Sequence, residues 1–241
     1  MQGLEPVIAA CAGGVLPALA WLWFWRREDS AHPEPRKLIA LAFFAGMISV
    51  AVVIPIEKFV ATLVQSQALI PLAAASVTTV TFFFWAVIEE VCKFAAASIT
   101  VLSRREDDEP IDPVIYMVTT ALGFAAAENT LFLLSPLAGT TVLQTIMTGN
   151  LRYVGATLLH VLSSAVIGIM IGFSFYKRPL VRRYSALVGV ILAIVLHATF
   201  NFFILNTAED QILRTFSFVW LGVVALLAVI EFIKRLRPRG L

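Results

Sequence analysis

Seven apolar stretches follow one another along this chain, each roughly 18–25 residues or longer and each bounded by charges or turn formers. They cover residues 6–25, 37–56, 71–102, 113–134, 151–176, 184–205 and 212–233. Hydrocarbon offers no water to backbone N–H and C=O groups, so a stretch this long and apolar satisfies them internally, as a helix. The expected fold is all-α: a polytopic membrane protein of about seven transmembrane helices in the cell membrane. Charged residues make up 14% of the chain, against about a quarter in soluble domains, and every polar stretch is short. Residues 1–241 therefore read as one integral membrane domain surrounded by lipid, with no nucleic-acid partner expected. No basic segment precedes the first apolar run, and Arg26 and Arg27 follow it, so it reads as a retained span rather than a signal peptide. Cys11 and Cys92 lie in apolar segments and offer no disulfide framework. Residues 57–69 are weakly amphipathic and are expected on the outer surface, with Pro55, Pro71 and Pro136 punctuating helix ends.

The basic residues orient the spans. Arg26, Arg27, Arg36 and Lys37 fall in the first loop, Arg104 and Arg105 in the third, and Lys177, Arg178, Arg182 and Arg183 in the fifth. Lys234, Arg235, Arg237 and Arg239 follow the last span, so 14 of the 18 Lys and Arg residues share one side. Lys58, Arg152 and Arg214 lie on the other. By the positive-inside rule the N-terminus is outside and the C-terminus cytoplasmic.

Within this apolar frame, the third stretch carries Glu89, Glu90 and Lys93 at its centre. A charged residue at mid-bilayer costs on the order of 2.5–3.5 kcal/mol, so such groups face a polar interior and serve it. Helical rise of about 1.5 Å per residue puts Glu89 and Glu90 at the same level as Glu128 and Asn129, His160, and His197 on the next three spans. Glu89 and Lys93 are i,i+4, as are His197 and Asn201. His160, Ser164, Gly168 and Gly172 form one stripe, and Thr119, Gly123 and Ala127 a similar one, both small enough for close helix approach. One shared site built by the helices of residues 71–205 accounts for the alignment.

Acids, imidazoles and an amide at one level suit hydrolysis by an activated water, with a carboxylate as general base and His or Asn donors at the oxyanion. Alternatively, His160, His197 and one of the acids form a His₂Glu set suited to catalytic zinc. No Ser/His/Asp arrangement is present, and no Asp lies inside any of the seven stretches. A proton-coupled or metal-ion transporter is the alternative from another class. The internal repeats and Pro-broken helices usual in transporters are missing from the third to sixth stretches.

The motifs Glu89-Glu90-Val91-Cys92-Lys93, Phe124-Ala125-Ala126-Ala127-Glu128, His160 and His197-Ala198-Thr199-Phe200-Asn201 resemble, in order and spacing, those of the PrsW family of intramembrane proteases. That family is a branch of the group containing CAAX prenyl proteases and bacteriocin-processing membrane enzymes. The resemblance spans Glu89 to Asn201. It implies a membrane endopeptidase acting on a single-span membrane protein, an anti-sigma factor being the best-known family substrate. It also implies catalytic roles for Glu89, Glu90, Lys93, Glu128, His160, His197 and Asn201. One of Glu89 or Glu90 would activate water, while His160, His197 and Asn201 bind water, metal or oxyanion. Glu128 replaces a His of the CAAX-protease relatives, and this added acid stands beside His160 and His197 as the third ligand of a Zn2+ site.

Overall fold

The computed structural model describes residues 4–28, 32–66, 74–134, 153–206 and 212–236. Pro71, Pro136, Arg152, Arg237, Arg239 and residues 67–69 lie outside them. The described residues form seven α-helices: α1 (Leu4–Glu28), α2 (Arg36–Gln65), α3 (Ala74–Thr100), α4 (Asp112–Leu134), α5 (Leu158–Phe173), α6 (Pro179–Asn206) and α7 (Ile212–Ile233). No strand occurs among the described residues. Six of the seven are long and apolar enough to cross a membrane, and the chain is a multi-pass membrane protein. α3 is the exception by composition, because Glu89, Glu90 and Lys93 interrupt it. At 27 residues it is about 40 Å long, and it too exposes apolar side chains at Phe83, Val91 and Ile99. Ile48, Phe218 and Leu221 are 68%, 66% and 64% exposed, so the apolar outside expected of a lipid-facing bundle is in place.

α4 sits at the centre and is buried on all sides from Asp112 to Ala126. Its small residues let α1, α2 and α5 pack around it. At the α2–α4 crossing the backbones touch: a Cβ on Gly46 would fall 2.0 Å from the Thr120 carbonyl oxygen, and one on Gly123 1.9 Å from that of Phe43. Lipid supplies no hydrophobic force between helices, so this close packing carries the association. Gly46→Val is expected to push α2 off α4 at a cost of about 1–3 kcal/mol. A lowered unfolding midpoint in detergent reports this, and an unchanged midpoint contradicts the crossing.

Two boundaries differ from the sequence expectation. Pro55 lies inside α2 instead of ending it, and residues 57–65 continue the helix. Proline removes one N–H, but continuing the helix still satisfies more backbone than a loop at that depth. α6 begins at Pro179, whose ring suits a first helical turn, so Arg182 and Arg183 are helical residues rather than loop residues. Arg182 pairs with Asp107 in the α3–α4 loop, where burial pushes the Asp107 carboxyl up to about 6 against the pull of that guanidinium. Asp112, the first residue of α4, accepts the N–H groups of Asp108 at 2.9 Å and Glu109 at 2.6 Å and closes the same loop. Tyr116 donates to Glu34, tying α4 to the α1–α2 connection.

α5 is preceded by a π-helical turn, Tyr153–Thr157, within the stretch expected as one regular helix. Gly155 lies in this turn and admits the Phe216 ring, which any Cβ there would meet at 2.3 Å. Thr157 accepts a hydrogen bond from the Asn129 amide at 2.9 Å, fixing the wide turn to α4 three residues before His160. Such turns recur at functional sites because they re-aim the next side chain.

Candidate active site

Four helices deliver ionisable groups to one buried cluster: Glu89, Glu90 and Lys93 from α3, Glu128 from α4, His160 from α5 and His197 from α6. The paired glutamates have opposite surroundings. Glu90 is fully buried, and its Oε1 accepts from Lys93 Nζ at 2.6 Å, His197 Nδ1 at 2.8 Å and Ser163 Oγ at 2.9 Å. Its Oε2 accepts from Ser164 Oγ at 3.2 Å. Glu89 is also buried, yet its Oε2 has no hydrogen-bond partner. That oxygen lies 3.6 Å from His160 Nδ1, 3.8 Å from Lys93 Nζ and 4.0 Å from His197 Nε2.

The hydrogen bonds assign the imidazole protons. His197 donates through Nδ1 to Glu90, which leaves a lone pair on Nε2. His160 donates through Nε2 to Glu128 at 2.8 Å, and its Nδ1 accepts from Lys93 at 3.0 Å. The two rings stand edge to face with centroids 5.2 Å apart, and Phe124 packs on His160 at 5.3 Å. Lys93 Nζ lies 4.7 Å above the same Phe124 ring, so this phenylalanine shapes the cluster by packing.

Glu89, His160 and His197 each offer one ligand atom, all within 4.8 Å of one another, and form the one group of this kind among the described residues. Glu128 bonds the outer nitrogen of His160, and the acid whose oxygen completes this group is Glu89. Each histidine carries a carboxylate on its other nitrogen, the arrangement that orients imidazole ligands in metal sites. Two imidazole nitrogens and the Glu89 oxygen without a hydrogen-bond partner converge there, the His160 Nδ1 being held by Lys93. This is a donor set for a cation, and the residues present fit zinc.

A cavity of about 410 Å³ opens onto the cluster. Glu89, Glu128, His160, His197 and Asn201 line it together with Phe82, Trp85, Phe132, Phe200 and Phe216. All seven residues singled out from the sequence thus meet in one place, with Glu90 and Lys93 forming the layer behind Glu89. Two further contributors were not singled out. Ser163 is three residues beyond His160, a spacing that shares its face as surely as that of Ser164. Glu57 lies within electrostatic reach of Glu89, Glu128 and Lys93. Its signal was an acid directly after the second apolar stretch, hidden by reading Pro55 as a helix end.

A multi-helix membrane bundle with a buried His/Glu cluster open to an apolar cavity is the layout of a membrane-embedded hydrolase. The chain belongs to the PrsW family, described as intramembrane metalloproteases, whose sequence model matches residues 34–230. It is 27% identical to a protein named Protease PrsW from Geobacillus kaustophilus (strain HTA426) over 197 residues, 80% of this chain and 79% of that one. Proteins of the same name from Oceanobacillus iheyensis and Bacillus subtilis (strain 168) are 25% and 24% identical, covering 91% and 90% of this chain and 94% of each relative. No solved structure gives a significant match. The chain is thus an intramembrane protease, and family membership favours the peptidase over the transporter alternative.

Proposed function

We propose that this enzyme hydrolyses a peptide bond of a single-span, membrane-anchored protein in the cavity above Glu89, with an anti-sigma factor as the candidate substrate. One observation carries the assignment of the centre: the buried Glu89 oxygen that has no hydrogen-bond partner lies 3.6 Å from His160 Nδ1 and 4.0 Å from His197 Nε2. Glu90 is the positioning acid, since its oxygens are occupied by Lys93, His197, Ser163 and Ser164. Residues 71–205 supply the catalytic core.

In the metal-dependent form, Glu89, His160 and His197 would hold zinc. Zinc bound there would polarise the scissile carbonyl and lower the pKa of water. Glu128 and Glu90 keep the imidazoles turned toward the centre, and Glu128, about a third exposed in the cavity, carries the proton for the leaving amine. Asn201 faces the same cavity as an amide donor for the carbonyl oxygen. A second form is favoured by the Lys93–His160 contact, which already occupies the Nδ1 lone pair. There Glu89 takes the proton from water directly, with Lys93 as its charge partner. Metal content and reporter cleavage on wild type and His197→Ala separate the two. About one zinc per chain, lost with cleavage in the variant, supports the first form; chelator-resistant cleavage by metal-free protein supports the second. Cleavage unchanged in His197→Ala sinks both.

The distribution of basic residues supports an N-terminus outside and a C-terminus in the cytoplasm, which puts the cluster in the outer half of the bilayer. A substrate helix must unwind there to present its carbonyl. Membrane-impermeant labelling of single cysteines is expected to modify position 58 and not position 105 in intact cells, and the reverse pattern inverts the orientation.

A further inference from the structure

Phe200 belongs to two spaces at once. It lines the catalytic cavity, and it also lines a groove of about 330 Å³ between α5, α6 and α7. Leu159 is shared in the same way. The Phe200 ring is half-buried and stacks on Phe216, with centroids 6.1 Å apart and planes at 14°. Phe216 in turn rests on the bare Cα of Gly155 in the π turn. Beyond this pair the groove is walled by Leu162, Thr199, Phe203, Val219 and Gly222, and its rim residues Phe203 and Phe218 are exposed on the apolar outside of the bundle. The stacked pair is therefore a partition between the bilayer side and the Glu89 cluster.

A second groove, between α3 and α6, touches the cavity through Phe82 alone. Two features favour the route past Phe200. It shares two residues with the cavity, and α6 packs far more sparsely against α7 than against α3 or α5. Separating α6 from α7 breaks few contacts, whereas opening the α3–α6 seam pulls apart the helices that carry Glu89 and His197.

We propose that the apolar membrane segment of a protein substrate enters sideways along the α6–α7 groove, with the Phe200–Phe216 stack as the gate it displaces to reach Glu89. This rests on the peptidase reading of the cluster. The apolar walls select an apolar segment, and the single pair of rings sets how wide a chain passes. Opening requires only rotation of two aromatic side chains and a modest outward shift of α7.

The test uses the full chain in proteoliposomes with two substrates bearing one cleavage sequence, a membrane-spanning reporter and a short apolar peptide without a spanning segment. Gly222→Trp fills the groove from α7, and Thr79→Trp fills the α3–α6 groove. The expected result is that Gly222→Trp lowers kcat/KM for the reporter relative to the peptide by about tenfold or more, while Thr79→Trp leaves that ratio unchanged. A photo-crosslinking residue at position 218, where the side chain is 66% exposed, is expected to capture the reporter. One at position 83 is expected not to. Capture from position 83, capture of lipid alone from position 218, or an unchanged ratio in a folded Gly222→Trp protein overturns the route while peptide cleavage keeps the peptidase reading intact. Cleavage of neither substrate by wild type overturns the peptidase reading and the route with it.

Discussion

Glu89→Gln is expected to lower reporter cleavage by about 10²- to 10⁴-fold, the usual range for losing a positioned acid–base group. The unfolding midpoint should stay close to that of wild type. The asymmetry follows from the surroundings of Oε2, which lacks a hydrogen-bond partner and so is poised for a reacting group or metal rather than for the fold. Glutamine keeps the volume of the side chain and removes the charge. The lost activity thus reports chemistry instead of packing. Cleavage rates measured beside thermal unfolding in detergent check both halves, and an active Glu89→Gln protein would remove Glu89 from the centre.

Its neighbour should behave in the opposite way. Glu90→Ala takes from the fully buried Lys93 its 2.6 Å partner, leaving it His160 Nδ1 at 3.0 Å and Glu89 at 3.8 Å, and it also strips the anchors from His197, Ser163 and Ser164. Removing one partner of a buried ion pair costs about 3–5 kcal/mol. A fall of this size leaves little folded protein, which denaturant or thermal unfolding will read directly. The double variant Glu90→Ala/Lys93→Ala removes both charges and is expected to recover part of the loss. A Glu90→Ala protein as stable as wild type would mean that the pair contributes little to the fold.

Much of the site was legible because lipid makes polar residues conspicuous. Glu89, Glu90, Lys93, Glu128, His160 and His197 stand out in apolar stretches, and helical rise alone put them at one depth. The split between Glu89 and Glu90 could not be read that way. It depends on how α3 is rotated against α5, and so on where Ser163 and Ser164 meet the carboxylate. Glu57 stayed hidden because a proline two residues earlier looks like an end, while the bilayer favours continuing the helix. The π turn before α5 was equally silent, as was the approach of the Phe216 ring to Gly155 within it, a contact between segments distant in sequence.

The ammonium of Lys93, lodged among Glu89, Glu90 and His160, has a bearing on how the protein is made. Small zinc domains stay unfolded until the ion arrives, because nothing else holds their ligands together. Here a positive charge built into the chain already binds the acids, so assembly in the bilayer need not wait for an external ion. Maturation then separates into two stages. The newly inserted chain would close its cluster around its own lysine, and in the zinc-dependent form the His160 nitrogen would become a ligand only once Lys93 releases it.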